Sequence, residues 1–257
     1  MNTPASSHWQ LHALGTGAAQ AADLGNAAAV LERDDAPLLL MDCGSDVPAR
    51  FRAAYGRLPA ALYLTHLHMD HVGGLETLFY ELYFARAAQP CRLYAHAALV
   101  PLLQARLADF PRLIAEGGVQ FWDVFQLIPC TRGFWLDALW FEVFAVRHHR
   151  AQSAFGLALP GSFVWTGDTR PIPEALAVHA ARNERVFHDC GLHANPSHTG
   201  LEDLPREYSA ALRARLMLYH QASDADADAL RDAGYAVLAP GERVALTPPL
   251  PVDELAG

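Results

Sequence analysis

The chain has 257 residues, enough for a sizeable core in one large α/β or α+β domain or in two small ones. About half of them are apolar (52%) and 18% are charged, which excludes a disordered chain. The net charge of −9, with no lysine among the 19 basic residues, argues against a protein that tracks a nucleic-acid backbone, and leaves room for a small anionic substrate held by a metal.

The N-terminal "MNTPASSHWQLHALGTG" lacks a basic stretch followed by an apolar core, so no signal peptide is expected. No run of about 18 apolar residues occurs, so no membrane span is expected either, and a cytoplasmic location follows as the expectation. "WQLHALGTG" reads as a strand running into a glycine turn, and "AAAVLERDDAPLLLMDCG" as a hairpin around "RDDAP". "ALYLTH" (61–66) reads as a short buried strand, and "ETLFYELYFARA" (76–87) as a helix with Leu78, Phe79, Leu82 and Tyr83 on one face. "CRLYAH" is strand-like, "ALVPLLQARLADF" helical despite Pro101, and residues 119–149 read as several strands. "AFGLALPGSFVWTGD" reads as a hairpin turning at "PGS", and "ERVFHD" and "RARLMLYH" as two further strands. There is no long linker and no internal repeat, so residues 1–257 are expected to form a single domain.

Several of these strands run into a polar residue: His66, His149, Asp168, Asp189 and His220. Such endings predict a site assembled at one edge of packed sheets, where strand-end loops carry function on a rigid scaffold. The densest stretch is "LTHLHMDHVGGLE" (64–76), with His66, His68, Asp70 and His71 within six positions. Neutral imidazole and carboxylate are good ligands for Zn²⁺ and related divalent ions. In an extended loop His66 and His68, two apart, point the same way. Asp70 and His71 follow where a helix could begin, and the bend there turns them toward a second ion. Two ions about 3.5–4 Å apart can share one hydroxide that is nucleophilic near neutral pH. Gly73 and Gly74 let the backbone pack closely beside them. A merely hydrogen-bonded polar loop does not account for so dense a cluster with further candidate ligands downstream.

T-H-x-H-x-D-H-x-x-G-L resembles the signature of the metallo-β-lactamase fold superfamily, and the resemblance extends over nearly the whole chain. "LGTGAA" is similar to its opening strand and glycine turn, and "LLLMDCG" to its first motif, with Asp42 in the place of a bracing aspartate. "VRHHR" supplies the third-motif histidine, "VWTGDT" the bridging Asp168 and "LMLYHQAS" the last ligand, His220. The resemblance implies an α/β (α+β) fold, a four-layer αβ/βα sandwich of two mixed sheets with helices outside. It also implies two divalent ions, most readily Zn²⁺, with Mn²⁺ or Fe as alternatives. One ion would have His66, His68 and His149, the other Asp70, His71 and His220, with Asp168 between them. Either His148 or His149 could be the third ligand, because strand alternation turns only one toward the metal. His149 is favoured because it lies seven residues before Gly156, a spacing that relatives often show.

"VFHDCGLHANPSHTGLEDL" (186–204) resembles two loops of the ribonuclease Z-like branch. There an acidic residue and a histidine-threonine pair bracket the site. Asp189 takes the acidic place, where relatives usually carry glutamate, and His198, before Thr199, the place of the histidine that assists the leaving group. Asp70, Asp189 and His198 are thus the candidate catalytic residues. The chain departs from ribonuclease Z in lacking a long basic arm: only a simple hairpin separates His149 from Asp168. This argues against tRNA processing and favours the armless phosphodiesterases that act on cyclic phosphates and cyclic nucleotides. The expected activity is therefore a dinuclear zinc hydrolase of a small, anionic, cyclic phosphodiester. Lactone or thioester hydrolysis, a tRNA-processing nuclease and a mononuclear iron oxidoreductase of the same fold are the alternatives. No nucleic-acid or membrane partner is expected, and a homodimer is compatible with the aromatic-rich segment 121–141.

The remaining histidines (His8, His12, His96, His179, His188, His193) read first as structural, with His188 alternating away from Asp189 and His193 able to reach the mouth of the site. Cys43, Cys91, Cys130 and Cys190 show no C-x-x-C pattern. Cys43 and Cys190 read as small buried fillers, since a thiolate nucleophile needs a base partner that neither has.

Overall fold

Neighbouring residues on one strand go to different layers here, and that alternation builds the architecture. The computed structural model describes residues 7–86, 89–109 and 118–254. The first sheet contains β1 (Trp9–Gly15), β2 (Ala28–Arg33), β3 (Ala36–Met41), β4 (Ala61–Leu64), β5 (Cys91–His96), β6 (Phe125–Cys130) and the late β14 (Arg243–Leu246). The second contains β7 (Gly133–Leu136), β8 (Leu139–Ala145), β9 (Phe155–Leu159), β10 (Phe163–Trp165), β11 (Arg185–Asp189), β12 (Leu216–Tyr219) and β13 (Ala236–Val237). Their orders are β14-β1-β2-β3-β4-β5-β6 and β13-β12-β11-β10-β9-β8-β7. Each sheet is mixed. The β14, β1, β2 and β3 pairings and those of β7 to β10 are antiparallel, while β3 to β6 and β10 to β13 pair in parallel.

Parallel neighbours need crossovers, and helices supply them. In the first half these are α1 (Val47–Tyr55), α2 (Met69–Val72), α3 (Leu75–Phe84), α4 (Val100–Leu103) and α5 (Phe121–Val124). In the second they are α6 (Pro173–His179), α7 (Asp203–Glu207), α8 (Ala210–Arg213) and α9 (Asp224–Asp232). Trp165, Phe187 and Tyr219 face a core shared with Tyr63, Phe134 and Phe141, so side chains of both sheets fill it. Their strand neighbours Val164, Val186 and Leu218 face the other way, onto Leu176, Leu204 and Leu230 of the helices. The result is the expected four-layer sandwich, with each large buried side chain stabilising it by about 1.5–3 kcal/mol.

The two sheets are tied together at one edge. Phe155 N–H donates to the Thr65 carbonyl at 2.9 Å, and His66 bridges to Ala154. Gly17 bridges to Gln221 beyond the end of β12. The parallel strands β4, β10, β11 and β12 all end at this edge, so the residues that follow them converge.

The elements differ from the expectations in a few places. The helix expected over 76–87 runs from Leu75 to Phe84, and residue 87 lies outside the described residues. "ALVPLLQARLADF" is helical as expected, with Pro101 in its first turn, and passes into a π turn at Gln104–Ala108. Its last residue, 110, lies outside the described residues, as do residues 1–6 of the leader reading. The stretch from 119 opens with the helical turn α5 before its strands. Of the aromatic-rich segment, Phe121, Phe125, Phe134 and Phe141 are core, while Trp135 is 52% exposed. Helices α1, α6 and α9 and strands β13 and β14 were not expected. Among the described residues no helix is long and apolar enough to cross a membrane.

Candidate active site

The site is built outward from Asp42, which leaves the end of β3 in a left-handed conformation (φ 62°) and is fully buried. Its carboxylate accepts from the Thr65 N–H at 2.8 Å, from the Thr65 hydroxyl at 2.8 Å and from His71 Nδ1 at 2.9 Å. These bonds fix the turn after β4 and force His71 to present Nε2 to the interior. Gly44 and Gly74 let the metal loop pack against the turn after β3. A Cβ on Gly44 would stand 2.2 Å from the Asp70 carbonyl oxygen, and one on Gly74 2.2 Å from that of Gly44.

Three metal-sized groups result, and Asp168 belongs to all of them. Ligand atoms of His66, His68, His148 and Asp168 all lie within 4.8 Å of one another, as do those of Asp70, His71, Asp168 and His220 and those of Asp168, Asp189, His198 and His220. In the third group Asp189 and His198 are hydrogen-bonded to each other, so the first two are the better ion sites. His66 Nε2 and His148 Nε2 each stand 3.1 Å from His68 Nδ1, and 3.6 and 3.9 Å from Asp168 Oδ2. His71 Nε2 is 3.2 Å from Asp168 Oδ1, and His220 Nε2 is 3.4 Å from Oδ2. Both of these nitrogens are also 3.5 Å from Asp70 Oδ2. Tetrahedral zinc bonds of 2.0–2.1 Å place donor atoms roughly 3.3 Å apart, which is this spacing.

The residues fit metal ions for a second reason. His71 Nε2, His220 Nε2 and Asp168 Oδ1 are buried without a hydrogen-bond partner among the described residues. Buried polar atoms are rarely left so, and a cation satisfies all three together. Charge tells the same story. Burial, the largest effect, pulls His71 and His220 down, yet Asp168 and its neighbours outweigh it and hold both above their usual range. Positive charge is what the carboxylates call for here. Burial favours neutral Asp70, but bonds from His220 and His71 keep it ionised well below the usual carboxylate range.

The histidine beyond β8 differs from the expectation. His148, not His149, stands in the first group. His148 is 2% exposed, and burial holds it down to about 4, so it is neutral and able to ligate. Its Nδ1 donates to the Ser197 carbonyl at 3.0 Å, leaving the Nε2 lone pair for the cluster. The chain then turns through a left-handed φ of 51° at His149, which puts that ring outside, 3.3 Å from the Ser197 hydroxyl. Counting back from Gly156 misses this turn, because a left-handed residue breaks strand alternation.

Asp189 and His198 form a second unit beside the clusters. Asp189 is fully buried at the end of β11, and its Oδ2 accepts from His198 Nδ1 and from the Thr169 N–H, each at 2.8 Å. Burial pulls the His198 imidazole down, but the Asp189 bond and charge outweigh it and raise it to about 9. Its ring stacks on that of His220, with centroids 5.0 Å apart and planes 16° from parallel. A cavity of about 510 Å³ opens onto His68, Asp70, Asp168, Asp189, His198 and His220.

Sequence reasoning did not single out Thr169 or Ser197. Thr169 joins three loops: its hydroxyl accepts from Arg147 N–H, and its carbonyl accepts from both the Thr199 N–H and the Thr199 hydroxyl. Thr199 is therefore a buried clasp between these loops. A threonine beside a ligand carries no signal of this in one dimension. Cys43 and Cys190 are buried, and burial pushes both thiols up, as fillers require. His188 is buried away from the cavity, against Tyr208, while His193 does line the cavity.

The sequence is 29% identical over 187 residues to the anti-Pycsar protein Apyc1 of Paenibacillus harenae, a match covering 70% of this chain and 76% of that one. A ribonuclease Z of Bradyrhizobium sp. (strain ORS 278) is 31% identical over 177 residues, covering 67% and 55%. The metallo-β-lactamase fold protein YhfI of Bacillus subtilis superposes with a TM-score of 0.71 at 16% identity, covering 93% of this chain and 99% of YhfI. Fold, site and relatives agree on a metal-dependent phosphoric diester hydrolase of the ribonuclease Z-like branch. The model of the family described as anti-Pycsar protein Apyc1 matches residues 9–244, nearly all of the chain, and the chain belongs to that family.

Proposed function

We propose that the protein hydrolyses a small cyclic phosphodiester, a cyclic nucleotide first of all, with two divalent ions held by His66, His68, His148, Asp70, His71, His220 and the bridging Asp168. The observation that carries this is one carboxylate shared by two metal-sized groups, with the Asp189–His198 pair beside them. Zinc suits a set of neutral imidazoles and carboxylates at these spacings. Bound there, the ions supply Lewis acidity, an activated water and the positive charge that a phosphodiester transition state needs. Among the described residues no arginine lines this cavity, although Arg147, Arg170 and Arg206 line the adjoining one that shares Asn195 and His198.

His198 donates a proton to the leaving alkoxide as the P–O bond breaks. Asp189 holds its Nδ1–H, so the opposite nitrogen carries the proton that is transferred. Asp70, at the cavity wall beside His71 and His220, orients the attacking water. The family's name supports a cyclic nucleotide as substrate. So do the volume, which is within the range of small-molecule sites, and the plain β9–β10 hairpin where a basic arm for tRNA would stand.

The test is a hydrolysis panel on metal-loaded protein: 3′,5′-cyclic nucleotides of several bases, bis-p-nitrophenyl phosphate, a lactone, a thioester and a tRNA precursor. Ring opening of cyclic nucleotides to monophosphates, with two zinc ions per chain by elemental analysis, is expected. Turnover of only the lactone, the thioester or the tRNA, or a single iron per chain, would overturn the proposal.

A further inference from the structure

Strand β12 sends its side chains alternately to the two sides of the second sheet. Met217 and Tyr219 pack toward the core between the sheets, Leu216 and Leu218 toward the helices. By that alternation His220, the next residue, belongs with Leu218 on the helix side. It stands in the metal cluster instead, because the chain leaves β12 through a left-handed torsion at His220 (φ 72°). A side chain larger than glycine takes that torsion only where its surroundings hold it there. Asp168 needs no such help, since Gly167 before it supplies the same kind of turn (φ 63°) without a Cβ.

What holds His220 comes from the other sheet. Its N–H donates to the Thr16 carbonyl at 2.6 Å, and the Ala18 N–H donates to the Gln221 carbonyl at 2.9 Å. The turn beyond β1 thus brackets His220 with one hydrogen bond on either side, around the Gly17–Gln221 bridge. The turn is itself anchored: the Thr16 N–H donates to the Leu24 carbonyl, the Gly17 N–H to that of Gly25, and the Gly17 carbonyl accepts from the Ala27 N–H. Thr16 and Gln221 are fully buried, so water does not compete for these bonds. Gln221 is gripped from its other side as well, where its Nε2 donates to the Cys190 carbonyl at 3.4 Å. Resting on the two-ion reading, we propose that Thr16 to Ala18 are positioning residues for His220: their backbone holds its left-handed torsion, aims its Nε2 at Asp70 and Asp168, and so sets the metal affinity of that group. The group of His66, His68 and His148 takes no ligand from this part of the chain and is independent of the turn.

The experiment is a double-mutant cycle read by zinc affinity, with a chelator of known strength as competitor. Ala18→Pro deletes the N–H that donates to Gln221. It should weaken one of the two zinc ions by about 10–100-fold, the usual worth of a group that orients a metal ligand, and leave the other unchanged. His220→Ala should weaken the same ion. Ala18→Pro added to His220→Ala should then change nothing further, because no ligand remains to be aimed. An unchanged affinity in Ala18→Pro, equal weakening of both ions, or a further loss in the double variant would overturn the proposal, and the last two are what a mere tie between the sheets would give. A wild type that holds a single ion fails the two-ion reading by itself. The same cycle on that ion then decides on the turn: coupled losses sustain it, and additive ones end it. Should Ala18→Pro not fold, Gly17→Ala is measured in its place, since a Cβ there would stand 2.8 Å from the Cβ atoms of Ala21 and Leu24 and push the turn aside.

Discussion

His148 and His149 are chemically identical neighbours with opposite fates, and the difference is one backbone torsion and one carbonyl. His148→Ala should lose most of one metal equivalent, since an open coordination position remains where Nε2 was. His149→Ala should keep two ions and near-normal activity. Metal content after gel filtration decides between them, and the reverse order would move the ligand to His149. At His198, replacement by alanine should leave metals and fold intact and lower kcat on cyclic nucleotides roughly 10²–10⁴-fold. The loss should be smaller with bis-p-nitrophenyl phosphate, whose phenolate leaves with little help. Equal kcat in variant and wild type on the cyclic substrate would remove the acid role.

His188 offers a pH test away from the metals. It is fully buried, and burial lowers its pKa below the usual value of 6.5. Its Nδ1 donates to the Asp189 carbonyl at 2.6 Å and its Nε2 accepts from the Tyr208 hydroxyl at 2.7 Å, so the neutral ring is satisfied at both nitrogens. The unfolded chain takes up a proton at this residue near pH 6.5 and the folded chain only at lower pH. Stability from His188 is therefore complete above about pH 6.5 and is lost as pH falls from there toward the folded pKa. His188→Gln should be destabilised by about 1–3 kcal/mol at pH 7.5. It should also lose less further stability than wild type between pH 7.5 and pH 5, in denaturant titrations. Parallel pH profiles would contradict this.

At the scale of elements, the turn after β3 and the loop after β4 act as one piece because Asp42 bonds both Thr65 and His71. Asp42→Asn turns an acceptor into a donor facing His71 Nδ1–H, and should lower metal affinity by about 10–100-fold through a misdirected His71. Competition with a chelator of known affinity measures it, and an unchanged affinity would mean that His71 needs no such partner. The long apolar runs of β1 to β5 and β9 to β12 were legible because alternation or continuous burial marks them. Helix α1 was not, since only Val47, Pro48 and Phe51 are buried in it. Helix α9 was not, since "DADADALRD" buries only Ala227 and Leu230. Strand β14 is four residues long and owes its pairing to β1, more than two hundred residues away, so nothing local announces it.

For the whole molecule, the clusters are a clamp between two sheets. His66, His68, Asp70 and His71 follow a strand of the first sheet, and His148, Asp168 and His220 follow strands of the second. Removing the ions should therefore loosen both. At metal concentrations about a hundredfold above Kd, binding adds roughly 2.7 kcal/mol. For a chain of this size that corresponds to a fall in Tm of roughly 5–10 °C on chelation, reversed by added zinc. Equal melting curves with and without chelator would show that the ions do not bridge the sheets.

Of this protein, the sequence by itself determined the chemistry of the site: three imidazoles and a carboxylate packed into "THLHMDH", with Asp42, Asp168, Asp189 and His220 spaced along the chain at strand ends and His198 in the loop after β11. Ligand types are written in residue identities, and strand ends in hydropathy. The tertiary structure alone decided which of His148 and His149 turns inward, how Thr169 and Thr199 lock three loops, and that the turn after β1 bonds to His220 and Gln221. These depend on a left-handed torsion, on contacts between distant loops and on the meeting of two sheets, and none of them leaves a periodic or compositional trace along the chain.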